Sequence, residues 1–228
     1  MEAKHNVDDK GLGRLRQLQL GTIPYPIPSH YNFYLFFGLT NLIGGLVICS
    51  SVGFVVKNVQ PLEWVTIVVA FIFANFAEYV WHRGPMHHEW RLMSLLFRVH
   101  TASHHQYFRH DTMSMDSSQE AYKVLFFFRD NFTLLGLISP VCLLVWHLIN
   151  RNVGGLTLIT LVGYFLLYEW LHLAYHAPEQ CQIDRLPLLG ALKRNHQIHH
   201  HQVWMDDHNF NLTLPIWDVI FGTLHRKT

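Results

Sequence analysis

The chain has 228 residues, half of them hydrophobic and only 14% charged, with a net charge of +1. Soluble domains carry about a quarter charged residues, so the balance argues against an ordinary water-soluble domain and for a single membrane-embedded one. Near-neutral charge, with no basic run and no base-stacking motif, excludes a nucleic-acid partner.

Residues 1–30 read as an N-terminal cytoplasmic or interfacial segment with Lys4, Lys10, Arg14 and Arg16 and no secretory signal. Alternating prolines over Ile23–Pro28 predict an extended, polyproline-like lead-in. Residues 31–56 are almost free of charge and exceed the roughly 20 residues that cross a bilayer. After a turn at Lys57–Pro61, residues 62–81 make a second crossing, which Gly84-Pro85 stops. From Met86 to Lys123 the chain is polar and is expected in water. A third crossing spans 132–149, with Pro140 predicting a kink, and a fourth spans 153–175. The tail from Ala177 is polar again and ends in an aromatic stretch, Ile216 to Thr223.

The expected fold is therefore an all-α integral membrane protein over residues 31–228. Its four transmembrane helices form two hairpins under a helical cap. This topology leaves only Lys57 and Arg151 of the seventeen Lys and Arg residues on the far side. The positive-inside rule then makes the cap cytoplasmic, facing out from the endoplasmic reticulum in a eukaryote or lying inside the cytoplasmic membrane of a bacterium. A soluble bundle is the alternative, but its helices would show a polar stripe that these lack. Cys49, Cys142 and Cys181 have neither zinc spacing nor the look of a disulfide framework.

Fourteen of the 18 histidines fall in two windows, 82–110 and 172–208, each opening at the near end of a crossing. His82 and His87 are five apart, which in unbroken helix points them about 140° away from each other; the Gly84-Pro85 break lets the chain turn both to one centre. His100, His104 and His105 have a spacing compatible with one helix face, and His172 and His176 are i, i+4. His196, His199 and His200 complete a set of ten. Neutral imidazoles converging in such numbers grip transition metals, and ten suit two ions rather than one. Glu78 and Glu169 sit near membrane depth, where a carboxylate is costly; orienting ligand imidazoles would explain them, and the alternative is that they are interfacial carboxylates reaching water. Asp206, Asp207, His208 and Asn209 are candidates for a further ligand or a hydrogen bond to water. His88 and His201 are additional rings with no assigned role. Two rivals remain: a metal transporter, whose ligands belong near mid-membrane, and a structural zinc protein, usually closed by four ligands.

The order H-x-x-x-x-H, H-x-x-x-H-H, H-x-x-x-H, H-x-x-H-H resembles the fatty acid hydroxylase and sterol desaturase superfamily of membrane di-iron enzymes. Glu78-Tyr79-x-x-His82-Arg83-x-x-x-His87 looks like its first box, and Trp217-Asp218-x-x-Phe221-Gly222-Thr223 like its C-terminal signature. Tyr168 to His200 is most similar to the fatty acid 2-hydroxylases. The resemblance covers roughly residues 62–223. It implies two iron ions held by the ten histidines and O2-dependent hydroxylation of a lipid, an acyl chain or a sterol-like molecule. Desaturation by the same site is the alternative outcome. It also implies a separate electron donor of cytochrome or ferredoxin type.

Overall fold

The computed structural model describes residues 25–226, which are helical with no strand among them. Expectations for the basic head, Ile23 and Pro24 lie outside the described residues. The helices are α1 (Phe33–Ser50), α2 (Val65–Trp81), α3 (Ser94–Val99), α4 (Phe128–Leu148), α5 (Arg151–Tyr175), α6 (Pro187–His199) and α7 (Ile216–Ile220). With their flanking turns, four stretches are long and apolar enough to cross a membrane: Phe33–Val55, Pro61–Met86, Arg129–Leu148 and Arg151–Tyr175.

Side-chain caps start these helices by satisfying amides that have no intrahelical acceptor. The Asn32 and Asn150 side chains accept from Leu35 and Val153 at 3.1 and 2.9 Å. Asp130 accepts from the Phe127 amide at 3.2 Å, so α4 begins one turn earlier than the apolar run alone suggested. Pro140 sits inside α4 without ending it. At the end remote from the histidines, the two connecting turns are tied together. Glu63 accepts from Asn150 and Asn152, each at 2.9 Å, and Asn152 also accepts from the Lys57 amide at 2.9 Å. Helix α5 packs against α1, α2 and α4, and half of its apolar window is buried, against 11–22% for the other three. Two glycines permit that closeness. A Cβ on Gly154 would lie 2.6 Å from Trp146 Cβ, and one on Gly155 2.8 Å from Val56 Cγ2.

Two expectations are corrected. Tyr25 has φ 60, so the lead-in is not a continuous polyproline run, and its carbonyl turns in to accept from Lys123 Nζ at 2.6 Å. The segment from Met86 to Lys123 is not a solvated loop: Tyr107, Phe108, Met115 and Ala121 join Val124 and Leu125 in a buried cluster. Four of its histidines, His87, His100, His104 and His105, are buried against one another, whereas His88 is exposed. The tail, though polar, packs against the spans. Asn75, fully buried in α2, donates to Thr213 Oγ1 at 2.9 Å and to the Leu214 carbonyl at 3.0 Å. The Phe76 and Trp217 rings meet at 4.7 Å. Residues 209–221 therefore run alongside the apolar span rather than away from it.

Candidate metal centre

Two wide, π-type turns place the first histidines. The chain leaves α2 through His82–Met86, where Gly84 takes φ −83 and ψ −105, and leaves α3 through His100–His104, where the His105 amide donates back to the His100 carbonyl. A π-type turn has more residues per turn than an α-helix. Residues five apart, such as His82 with His87 and His100 with His105, then face one point. The last turn of α5 carries His172 with His176 at its C-cap, and that of α6 carries His196 with His200 at its C-cap, each pair at the α-helical i, i+4 spacing.

All ten imidazoles are at most 5% exposed. They divide into two groups of five, with ligand atoms within 4.8 Å of one another in each: His82, His87, His100, His105 and His199, and His104, His172, His176, His196 and His200. The three-histidine boxes are therefore not the units of the site, contrary to the one-face expectation. His104 leaves its box for the second group, and His199 leaves its box for the first.

The Nε2 atoms point inward. Neighbouring pairs lie at 2.8 Å (His82–His100) and 3.0 Å (His87–His199, His100–His105) in the first group. In the second they lie at 3.1 Å (His196–His200) and 3.2 Å (His104–His200, His104–His172, His176–His196). With metal–nitrogen bonds of about 2.1 Å, neighbouring donors would be about 3.4 Å apart in a tetrahedron and about 3.0 Å apart in an octahedron. The observed edges fit the higher coordination number, and five donors exceed the four of a structural zinc site.

The outer nitrogens fix the tautomer. His104, His176, His199 and His200 donate Nδ1–H to the carbonyls of Lys123, Met113, His208 and Phe108 at 2.6–2.8 Å. His82 donates likewise to the Phe210 carbonyl, and His87 donates to Asp206 Oδ1 at 3.0 Å. These six rings must present an unprotonated Nε2, a lone pair, to the centre. Lone pairs 3 Å apart repel unless a cation lies between them, so the donor set fits a metal. Burial, reinforced by neighbouring rings, holds His87, His100, His104, His105, His196, His199 and His200 well below the ordinary imidazole range, so they remain neutral. Nδ1 of His105, His172 and His196 is buried with no partner among the described residues.

Residues 67–223 match the fatty acid hydroxylase family, more than half of the chain. The chain belongs to that family. No curated protein and no solved structure matches it. The family is of oxidoreductase type, and it fits, together with the paired histidine groups and four apolar helices, a membrane-embedded, lipid-modifying oxygenase of hydroxylase or desaturase kind.

Within this fatty acid hydroxylase fold, neither glutamate touches an imidazole among the described contacts, contrary to expectation. Glu78 accepts from the Tyr164 hydroxyl, the Leu212 amide, and the Thr213 amide and hydroxyl, the last two at 3.1 and 2.7 Å. It therefore pins the stretch of tail that follows Phe210, whose carbonyl meets His82. Glu169 accepts a single 3.5 Å contact from the Phe126 amide. Of the tail candidates, Asp206 and the His208 carbonyl meet ring nitrogens as above. Asn209 instead ties the Asn195 and His225 carbonyls, at 3.1 and 2.9 Å. His88 bonds the Arg83 carbonyl at 2.8 Å, and His201 stacks on Trp204 at 4.5 Å.

Sequence reasoning gave no role to three residues, of which Asp218 was quoted only as part of the C-terminal signature. Phe210 lays its ring 5.8–6.0 Å from His82, His87 and His199, and Phe108 lies 4.5 and 5.6 Å from His176 and His104. Each thus covers one group with its ring while its carbonyl holds a histidine. Asp218, fully buried, accepts from the Phe210 and Asn211 amides at 2.9 and 2.7 Å and from Thr223 Oγ1 at 2.7 Å. A carboxylate inside the apolar run Ile216–Phe221 was the available signal.

Proposed function

We propose that the protein is a membrane di-iron oxygenase that hydroxylates an unactivated C–H bond of a lipid, using O2 and two electrons from a separate donor. The observation that carries this reading is the pair of five-imidazole groups with inward Nε2 atoms and carbonyl-locked outer nitrogens. One iron would be held by His82, His87, His100, His105 and His199, the other by His104, His172, His176, His196 and His200. Bound iron would supply oxygen activation and electron transfer at these donors. The chain's own part is to hold the rings neutral and oriented. Phe108 and Phe210, both 0% exposed, and Tyr175 keep water from the two groups. We read the four spans as two hairpins, with the histidine-bearing segments forming a cap on the cytoplasmic side. The donor, of cytochrome or ferredoxin type, would approach from that side.

Lipid mass spectrometry of cells expressing the protein with a competent reductase tests this, with His199→Ala as control. A wild-type-specific gain of one oxygen is expected, alongside two irons per chain. Loss of two hydrogens would mark a desaturase. One tightly held zinc and an unchanged lipid profile would refute the oxygenase.

A further inference from the structure

A cavity of about 370 Å³ lies where the first turns of α1 and the start of α4 meet the last third of α5, and none of the ten histidines lines it. Its walls are mostly aromatic, with Tyr31, Phe36, Phe37, Tyr122 and Phe126 among them, and Glu169 contributes a carboxyl group. Glu169 is 2% exposed, and its one hydrogen bond among the described residues, from the Phe126 amide at 3.5 Å, is at the limit of such a bond. Glu78 is the informative comparison. It is only half-buried, yet it has four donors from the protein itself. The half-buried carboxyl group is fully satisfied, while the buried one has acceptor capacity to spare beside an open space. Buried polar groups are otherwise almost always paired.

We propose that this cavity binds the head of a neutral lipid that donates a hydrogen bond, from a hydroxyl or an amide N–H, to Glu169. The aromatic walls suit the adjoining apolar chain. An anionic head is disfavoured at Glu169, because two carboxyl groups in contact cannot both ionise without strong repulsion, and the Arg129 guanidinium that could offset it is taken up by Asp130 at 3.5 Å and the Phe127 ring at 5.4 Å. A cationic head is disfavoured because Arg129 already lines the cavity, its guanidinium 5.4 Å from the Phe127 ring. Both walls lead to the second histidine group. Glu169 is one helical turn before His172, and Tyr122 adjoins Lys123, whose carbonyl holds His104 at 2.8 Å. As a binding site the cavity stands on its own; as the substrate site it rests on the oxygenase reading above.

The test uses the full-length protein in lipid nanodiscs, with hexadecan-1-ol, hexadecanamide and hexadecanoate competing against a fluorescent long-chain alcohol at pH 8. The alcohol and the amide are expected to bind at least tenfold more tightly than hexadecanoate. Glu169→Leu should weaken the alcohol at least tenfold. Glu169→Gln, which keeps an acceptor oxygen but no charge, should retain the alcohol and narrow the discrimination against hexadecanoate. Metal content equal to wild type shows that each variant is folded; if Glu169→Leu fails that control, the glutamine variant decides. A photoreactive hexadecanol should label Phe36 or Tyr122. Equal binding of hexadecanoate, an unchanged affinity in a folded Glu169→Leu, or labelling elsewhere in the chain would overturn the proposal. Selective binding without any oxygenated product would remove the oxygenase reading and leave this one; oxygenation without the selectivity would do the reverse.

Discussion

Replacing Asp206 by alanine separates the two histidine groups, because its carboxylate meets one ring, His87, at 3.0 Å and no ring of the second group among the described contacts. Loss of an outer-shell acceptor of this kind costs about 10–100-fold in metal affinity. Two features place the effect at the low end. The Asp206 side chain is 52% exposed, so water can take its position, and Thr101 Oγ1 already lies 3.5 Å from His87 Nδ1. The expectation is therefore about a tenfold loss, roughly 1.4 kcal/mol, confined to the first group. Chelator competition, with metal counted per chain by elemental analysis, should show one site released at lower chelator concentration while the other follows wild type. Equal weakening of both sites would mean that the groups are not the independent sets of five described above. No weakening at all would mean that the His87–Asp206 contact does not orient the ring.

Three further outcomes follow from the same geometry. Asp218→Ala removes three hydrogen bonds to a fully buried carboxylate, each worth about 1.5–3 kcal/mol; thermal unfolding should show a loss of at least about 3 kcal/mol and first-group metal should bind more weakly, and an unchanged melting temperature would refute the role. In metal-free protein, stability should fall as pH drops below about 6.5, by up to about 1.4 kcal/mol per pH unit for each depressed imidazole. The sign follows because the unfolded chain takes up protons that the buried rings refuse, so the contribution is fully present above that pH; an unfolding midpoint constant from pH 7.5 to 5.5 would contradict it. Gly155→Ala puts a Cβ 2.8–2.9 Å from Val56 and Val55 and should cost about 1–3 kcal/mol in denaturant unfolding, whereas Gly163→Ala, with nothing within 4 Å, should cost none.

The four apolar spans and the gathering of ten histidines were readable because each depends on local chemistry: uninterrupted apolar runs, and imidazoles at the near ends of those runs. What Glu78 does was not readable. Its partners at Leu212 and Thr213 lie about 135 positions along the chain, and nothing local distinguishes a carboxyl group that anchors a tail from one that orients a ligand. The tail itself misled for a related reason. Asn211, Thr213 and Asp218 read as polar, yet each is buried, and Asn211 and Thr213 spend their polarity on the backbone and side chain of Asn75 in α2.

The partition of the ten rings lies between these cases. Grouped by neighbourhood, His100, His104 and His105 look like one unit, as do His196, His199 and His200. Grouped by spacing, the logic changes. The first group is built from two pairs five apart, His82 with His87 and His100 with His105, each across a π-type turn. The second is built from two pairs four apart, His172 with His176 and His196 with His200, each on a regular α-helical end. The fifth ligand of each group is the histidine lying inside a pair of the other, His199 for the first and His104 for the second. Spacing was in the sequence throughout, but its meaning depended on knowing which turns widen, and that is decided by packing around Gly84 and across His100–His105. The exchange has a mechanical consequence. The adjacent residues His104-His105 and His199-His200 each serve both groups, so a shift in either segment displaces a ligand of each, and the two groups are held in register by the backbone itself.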